Sequence, residues 1–233
     1  MPLKVALIVG GGSGMGAEAA RKLREDGFEV GILSSSGKGE ALGRELGGFG
    51  VTGTNRSDAD ISKLIDGALE RWGRIDALVN SAGHGPRGAL AGLSDADWHE
   101  GLDTYLLPMI RAARLVLPAM EAQKAGSIVN VSTYAAFEPD PAFPTSAVFR
   151  AGLASFAKLF ADKHAEAGIR MNNVLPGFID SFPANEERVH QIPMRRYGRV
   201  AEVAELIAFL ASDKSSYITG QNIRIDGGIT RSV

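Results

Sequence analysis

Short runs of aliphatic residues alternate with longer amphipathic stretches along the whole chain. Seven runs have the length and composition of strands: residues 3–9, 28–33, 49–54, 75–80, 127–132, 169–174 and 222–225. Several are almost continuously apolar, which is typical of strands that are covered on both faces. Between them, apolar positions recur every three or four residues, as they do in helices that bury one face.

The helical pattern covers residues 17–24, 61–69, 95–123, 147–166 and 200–211, and Gly27 is predicted to cap the first helix. Segments 135–145 and 177–194 lack a clear period and are predicted to be loops. Alternating strands and helices favour a parallel sheet with right-handed crossovers. We therefore predict one domain over residues 1–233, an α/β fold of the Rossmann type: a doubly wound, seven-stranded parallel sheet with helices on both faces.

Composition excludes several classes of function. The 25 Lys and Arg residues nearly balance 27 Asp and Glu residues, and no basic stripe offers a surface for nucleic acid. The chain has no cysteine, which excludes disulfides, a thiol nucleophile and thiolate-bound metal. The histidines lack metal-ligand spacing, so we expect no metal. The first apolar run is too short for a signal peptide and no run is long enough to cross a membrane. We expect a cytoplasmic protein that acts on a small molecule, without nucleic-acid or membrane partners.

Glycine is abundant, with 29 residues, and its densest cluster is residues 10–16, between the first strand and the first helix. Glycine at such a place permits a tight turn and lets backbone amides approach a pyrophosphate, which the positive end of the helix dipole also attracts. The alternative is a plain strand–helix turn. At this position in an alternating α/β chain we interpret the cluster as a dinucleotide-binding loop.

The end of the second strand predicts which nicotinamide cofactor binds. An acidic residue there would accept from the ribose 2′-hydroxyl of NAD(H) and repel a 2′-phosphate. Instead the chain has Ser34, Ser35, Ser36 and Lys38, which suit a phosphate. NADP(H) is therefore favoured over NAD(H), although a solvated Ser/Gly turn without a cofactor role is also consistent with this segment.

Three further segments, together with the glycine loop, resemble the short-chain dehydrogenase/reductase family over nearly the whole chain. Gly10, Gly14 and Gly16 have the spacing of that family's cofactor loop, residues 80–83 resemble its Asn-Asn-Ala-Gly segment, and residues 176–181 resemble its Pro-Gly segment. Residues 218–221 and 226–228 resemble its closing strand, which implies a homo-oligomer, either a tetramer or a dimer. The cofactor-binding residues implied by the patterns and the resemblance are Gly10, Gly12, Ser13, Gly14, Met15, Gly16, Ser34, Ser35, Ser36, Lys38, Thr54, Asn55, Asn80, Ser81, Ala82, Gly83, Arg150, Pro176, Gly177, Ile179 and Ser181.

The catalytic positions depart from the family pattern, which is Asn, Ser and a Tyr-x-x-x-Lys pair. The matching residues here are Tyr105, Thr133, Ser146 and Arg150. A serine hydroxyl is a far weaker acid than a phenol, and arginine stays protonated, so it stabilises negative charge but does not relay a proton. Arg150 as an ion pair on the surface of a long helix is the alternative interpretation.

Other side chains are candidates for the missing proton donor. His84 has the most suitable ordinary pKa, and Tyr134 and Tyr105 are chemically closest to the absent tyrosine. Each is equally consistent with a packing role. Residues 182–194, which include Arg188 and His190, are expected to cover the substrate.

These observations predict an NAD(P)(H)-dependent oxidoreductase with a degenerate catalytic tetrad, which transfers hydride to a small carbonyl, imine or activated alkene. One alternative is a catalytically inactive protein that binds NADP(H) as a sensor or as an oligomer partner. A second is non-redox chemistry like that of halohydrin dehalogenases, which resemble this fold and have an arginine at the position of Arg150. That family has lost the glycine-rich loop, which this chain retains.

Overall fold

A computed structural model of the chain describes residues 3–81 and 83–232. In these residues seven strands form one parallel sheet in the order β3-β2-β1-β4-β5-β6-β7. The strands are β1 (Lys4–Val9), β2 (Phe28–Ser34), β3 (Phe49–Thr52), β4 (Ala77–Ser81), β5 (Gly126–Val131), β6 (Ile169–Pro176) and β7 (Asn222–Ile225). All seven predicted strands are present, and the doubly wound α/β fold is confirmed. The strand order reverses between β1 and β4, the point at which open sheets of this kind bind ligands.

Helices cover both faces of the sheet. Their bounds are α1 (Gly14–Glu25), α2 (Lys38–Glu45), α3 (Asp58–Trp72), α4 (Asp95–Tyr105), α5 (Leu107–Gln123), α6 (Pro144–His164), α7 (Glu186–Gln191) and α8 (Val200–Ala211). Apolar residues of α1, α2 and α8 pack with one face of the strands, and those of α3, α5 and α6 pack with the other. No helix in the described residues combines the length and the apolar character needed to cross a membrane.

Three details of the helix prediction were wrong. The stretch 95–123 is two helices, separated at Leu106, because Pro108 lacks the N–H group that would continue the hydrogen bonds of α4 into α5. Helix α2 was not predicted because it contains two glycines and only one buried aliphatic residue, Leu42. The segment 177–194 contains the short helix α7, whose start is capped by the Asn185 side chain. The prediction that Gly27 ends the first helix is confirmed: it follows the cap residue Asp26 in the left-handed conformation, with a φ of +89°.

A row of asparagines, one on each of four neighbouring strands, crosses the sheet. Asn80 donates to Asn130 at 2.9 Å, Asn130 donates to Asn173 at 2.9 Å, and Asn173 donates to Asn222 at 2.8 Å, in each case from Nδ2 to Oδ1. The first three of these side chains are fully buried. The row thus links β4, β5, β6 and β7 through their side chains, and a large cleft opens at the carboxyl ends of the strands.

Candidate active site

The cleft has a volume of about 1370 Å³ and lies at the carboxyl ends of the strands. It runs from the loops after β2 and β3, past the glycine-rich loop after β1, to the segments that follow β4, β5 and β6. We call its β2–β3 side the adenosine end, the region around Arg150 the inner end, and the region of Arg87 and Arg188 the outer end.

The glycine-rich loop folds tightly against the sheet. Gly10 has a φ of +78°, and a Cβ added there would lie 1.9 Å from the carbonyl oxygen of Ser81. A Cβ at Gly16 would lie 2.5 Å from the carbonyl oxygen of Gly10, so only glycine lets α1 begin this close to the loop. Ser13 precedes α1 and its side chain does not cap the helix. The first-turn N–H groups of α1 therefore have no side-chain acceptor, the arrangement in which helix N-termini bind phosphates.

The adenosine end carries hydroxyl and ammonium groups. The hydroxyl of Ser34 is buried and is used locally, since it donates to the carbonyl of Ser36 and accepts from Gly39 N at 3.0 Å. Ser35, Ser36 and Lys38 are exposed to the cleft. The nearby carboxylate of Glu40 accepts from Thr52 N at 3.0 Å and is not part of the cleft wall. Among the described lining residues, Asp180 is the one carboxylate.

The inner end contains a buried arginine. The Arg150 side chain is 9% exposed, donates to the carbonyl of Ser132, and lies with Cζ 4.9 Å from the centre of the Tyr105 ring. It forms no salt bridge with any carboxylate in the described residues. Burial lowers the pKa of Arg150 to about 10, which still leaves the guanidinium protonated at neutral pH. The alternative of a surface ion pair is therefore wrong for this residue.

The candidate proton donors differ in what they contact. The Tyr105 hydroxyl accepts from Gly85 N at 2.6 Å, and its ring supports Arg150. The Tyr134 hydroxyl donates to Asp140 at 3.2 Å, and burial together with that carboxylate raises the pKa of Tyr134 to about 12. Partial burial, and then the charges of Arg87 and Arg150, lower the pKa of His84. Neither Tyr134 nor His84 is therefore tuned to deliver a proton at neutral pH.

Thr133 and Ser146 supply hydroxyl groups to the same wall of the cleft. Thr133 Oγ1 accepts from Ala135 N at 3.4 Å, a weak contact that leaves its proton free to donate. Ser146 lies in the first turn of α6, one turn before Arg150. Both hydroxyls can orient a polar atom of a ligand, although neither is an effective acid.

The structure adds residues that the motifs did not indicate. Arg87 and Phe143 line the outer end with Arg188, and the rings of Phe178 and Tyr197 stack with centroids 5.6 Å apart. Ser132 also lines the cleft, and its hydroxyl is buried without a hydrogen-bond partner in the described residues. These residues come from the segments that follow three different strands, β4, β5 and β6, so no local spacing in the sequence could have grouped them.

Most of the predicted site residues line this one cleft. The exceptions are Gly16, which packs beneath the loop, and Asn80, which is fully buried and donates to Asn130. Ala82 lies outside the described residues. Those that line the cleft are Gly10, Gly12, Ser13, Gly14, Met15, Ser34, Ser35, Ser36, Lys38, Thr54, Asn55, Ser81, Gly83, His84, Tyr105, Thr133, Tyr134, Ser146, Arg150, Pro176, Gly177, Ile179 and Ser181.

Comparison with known proteins gives a consistent family. A family model described as enoyl-(acyl carrier protein) reductase matches residues 10–230. The chain is 32% identical to 3-oxoacyl-(acyl-carrier-protein) reductase FabG of Staphylococcus epidermidis, over 97% of this chain and 98% of the relative. It is 34% identical to FabG of Thermotoga maritima, over 97% of each chain. It is 36% identical to oxidoreductase UcpA of Escherichia coli, over 97% of this chain and 94% of the relative. The chain therefore belongs to the short-chain dehydrogenase/reductase family and is an oxidoreductase.

Proposed function

We propose that the protein is an NADP(H)-dependent reductase that transfers hydride to a small carbonyl compound or activated alkene without the usual tyrosine and lysine pair. The observation that carries this proposal is the continuous cleft, which joins a glycine-rich loop to a protonated, buried Arg150 that has no carboxylate partner. The reductases and the oxidoreductase among the relatives support the reaction class.

The residues present fit a dinucleotide. The glycine loop and the uncapped start of α1 suit a pyrophosphate, and Ser81, Gly177 and Ser181 are available further along the cleft. When bound, the reduced nicotinamide supplies the hydride. The guanidinium of Arg150 then has two tasks that its chemistry allows, which are to bind ribose hydroxyls and to stabilise negative charge.

The adenosine end favours NADP(H). Ser35, Ser36 and Lys38 expose two hydroxyls and an ammonium group where an acidic residue would select NAD(H), and Glu40 is held by Thr52. The backbone at the start of α2 adds N–H groups to the same place. A phosphate on the ribose is therefore attracted, and in the described residues no carboxylate lines the cleft at this end.

The inner end favours chemistry in which negative charge develops on the substrate. A carbonyl that accepts hydride becomes an alkoxide, and an activated alkene becomes an enolate; both are stabilised by a nearby cation in a site of low dielectric. Thr133 and Ser146 offer hydroxyl donors to the same oxygen. A cationic iminium would instead be repelled by Arg150, so within the predicted substrate classes the carbonyl and alkene are favoured. With Tyr134 and His84 poorly tuned as acids, the final proton comes from water.

The test is consumption of NADPH by the purified protein with panels of carbonyl compounds, enones and cyclic imines. We expect turnover with the first two classes, and transfer of deuterium from labelled NADPH to the product. Tight binding of NADPH with no turnover across all panels would contradict the proposal.

The second candidate function is an inactive protein that binds NADP(H) as a sensor. It is favoured by the pKa values of Tyr134 and His84, which are unsuited to proton donation at neutral pH. The double substitution Ser146→Tyr with Arg150→Lys separates the two. If it creates carbonyl reduction that the native protein lacks, the sensor is favoured. Native turnover that the double substitution abolishes would favour the reductase.

We also propose a homo-oligomer. Val148 and Leu159 are 52% and 69% exposed and lie about three turns apart on one face of α6. Apolar side chains aligned in this way on a long helix are better covered by a second copy than left in water. The packing of Trp98 against Phe149 extends this apolar surface toward α4.

A further inference from the structure

The outer end of the cleft concentrates positive charge. Arg87 follows β4 and Arg188 lies in α7, and both line the cleft on the side of the substrate-covering segment. Neither side chain forms a salt bridge with a carboxylate in the described residues, and neither does Arg150 behind them. The acidic neighbours of Arg188 in α7, Glu186 and Glu187, are exposed and make no such pair.

Two of these guanidinium groups share one aromatic ring. The Cζ atoms of Arg87 and Arg188 lie 4.9 Å and 5.6 Å from the centre of the Phe143 ring. Arg188 also lies 4.7 Å from the ring of Phe178. Aromatic faces attract guanidinium groups and hold them in place, but they do not neutralise the charge. Like charges from separate segments thus meet at one place, which makes this end of the cleft locally positive.

We propose that the outer end binds the carboxylate of the substrate through Arg87 and Arg188, so that the substrate is a small oxo acid or unsaturated acid. This inference rests on the proposed reductase function and names the substrate class of the same site. A guanidinium and a carboxylate match as parallel hydrogen-bonding forks, which gives orientation as well as affinity. The carboxylate held at the outer end leaves the reacting carbon free to face Arg150, which stabilises the charge that develops there.

The walls of the outer end favour a flat acid. Phe143, Phe178 and Tyr197 provide aromatic surfaces beside the arginines, against which a planar substrate can stack. The adenosine end has its own cation, Lys38, which is unpaired in the described residues, so the charge of the cofactor does not account for the arginines at the outer end.

The first test is binding, which does not depend on activity. Isothermal titration in the presence of NADP⁺ compares benzoate with benzamide, which has the same shape and no charge. We expect benzoate to bind at least about tenfold more tightly, as a charge-assisted hydrogen bond implies. Arg188→Gln and Arg87→Gln should each weaken benzoate binding by about tenfold and leave benzamide within about twofold.

Arg44→Gln is the matched control, because it removes the same charge from an exposed position on α2 outside the cleft. It should leave the affinity for both compounds unchanged. Equal affinity of the native protein for benzoate and benzamide would overturn the inference. The inference would also be overturned if inorganic phosphate bound the site more tightly than benzoate and displaced it, because the site would then select phosphate. A third outcome would also overturn the inference: binding of an acyl carrier protein that depends on Arg188, with no binding of benzoate. The arginines would then serve an acidic protein partner.

A second test separates this inference from the proposed function. Phenylglyoxylate and its methyl ester carry the same reactive ketone, and only the first has a carboxylate. We expect kcat/KM to be at least about tenfold higher for the acid, with most of this preference lost in Arg188→Gln. Equal kcat/KM for the acid and the ester would be compatible with the reductase proposal but would overturn the inference that the outer end binds a carboxylate. If benzoate binds in an Arg188-dependent manner and neither ketone is reduced, the reductase proposal is contradicted. The inference that the outer end binds a carboxylate is then supported.

Discussion

Arg150 is a costly residue for a folded protein without ligand. A guanidinium removed from water loses hydration, and here a single backbone carbonyl and the face of Tyr105 replace it. A buried cation without an anionic partner is normally destabilising, and this supports the proposal that Arg150 interacts with a ligand. The lowered pKa of Arg150 expresses the same cost, because burial disfavours the charged form.

Replacing Arg150→Met should separate this ligand-binding role from a structural one. The substitution keeps most of the buried aliphatic volume and removes the charge. We expect the melting temperature of the protein without ligand to stay the same or rise by about 2–4 °C, which corresponds to roughly 1 kcal/mol for a domain of this size. The stabilisation caused by added NADPH should fall markedly. Both quantities come from thermal denaturation with and without NADPH.

The control for that experiment is Arg170→Met. Arg170 is also partly buried, but it donates to the carbonyl groups of Leu210 and Ser212 at the end of α8 and has no place in the cleft. Its loss should lower the melting temperature and leave the NADPH-induced shift intact. A loss of several degrees in Arg150→Met without ligand would show that Arg150 is structural.

His84 should make anion binding depend on pH. Its ring is in contact with the edge of Phe182, and Arg87 and Arg150 are the charged groups that lower its pKa. At neutral pH it is therefore uncharged, and protonation below the ordinary histidine pKa of about 6.5 adds a cation beside the bound carboxylate. We expect benzoate affinity to rise as the pH falls from about 8 to about 5. The same titration with His84→Gln should be nearly flat, and an unchanged slope in that variant would assign the effect to another group.

The elements show where sequence patterns are informative and where they are not. The strands were predicted because aliphatic runs buried on both faces leave a strong local signal. Helix α2 left none, since Gly43 must approach the backbone of β3, where an added Cβ would lie 2.4 Å from Phe49 O. The break between α4 and α5 had a signal in Pro108, but the apolar period continues across it. Local pattern thus identified elements better than their ends.

The connection from β2 to α2 should determine the choice of cofactor. Lys38 is exposed, lies at the first position of α2 and makes no salt bridge in the described part of the chain. We expect Lys38→Ala to weaken NADPH binding by about tenfold, the effect of losing one charge-assisted contact, and to change NADH binding by less than about twofold. Fluorescence titration with both cofactors measures this. Lys163→Ala, which removes an exposed lysine at the far end of α6, should alter neither affinity; equal losses for NADPH and NADH in Lys38→Ala would refute the assignment.

At the scale of the whole molecule, the active-site cleft joins segments that are distant in the chain. The glycine loop was recognisable because it is local. The outer arginines were not, since Arg87, Phe143 and Arg188 are brought together only by the order of β4, β5 and β6 in the sheet. The net charge of the chain did not indicate these arginines either, because acidic residues elsewhere in the chain offset their positive charge.

Association of the whole molecule should depend on α6. We expect the native protein to elute as a dimer or tetramer in size-exclusion chromatography with light scattering. Leu159→Glu places a charge on the exposed apolar face and should shift the protein toward monomer without changing its circular dichroism. Leu90→Glu, at an equally exposed leucine outside α6, is the control. A native monomer would contradict the proposed oligomer.

The asparagine row also constrains how the sheet can assemble. If β5 slid by one residue, the Asn130 amide would turn to the opposite face, and a shift by two would place it against Met171 or Leu175 of β6. Each error leaves buried amide groups unpaired, at a cost of about 1–3 kcal/mol apiece. The aliphatic side chains along these strands are similar in size and polarity, so on their own they would penalise a shifted register only weakly. The row therefore favours the observed register of β5 against β4 and β6 over shifted ones. In that register the loops that follow these strands meet to form the cleft.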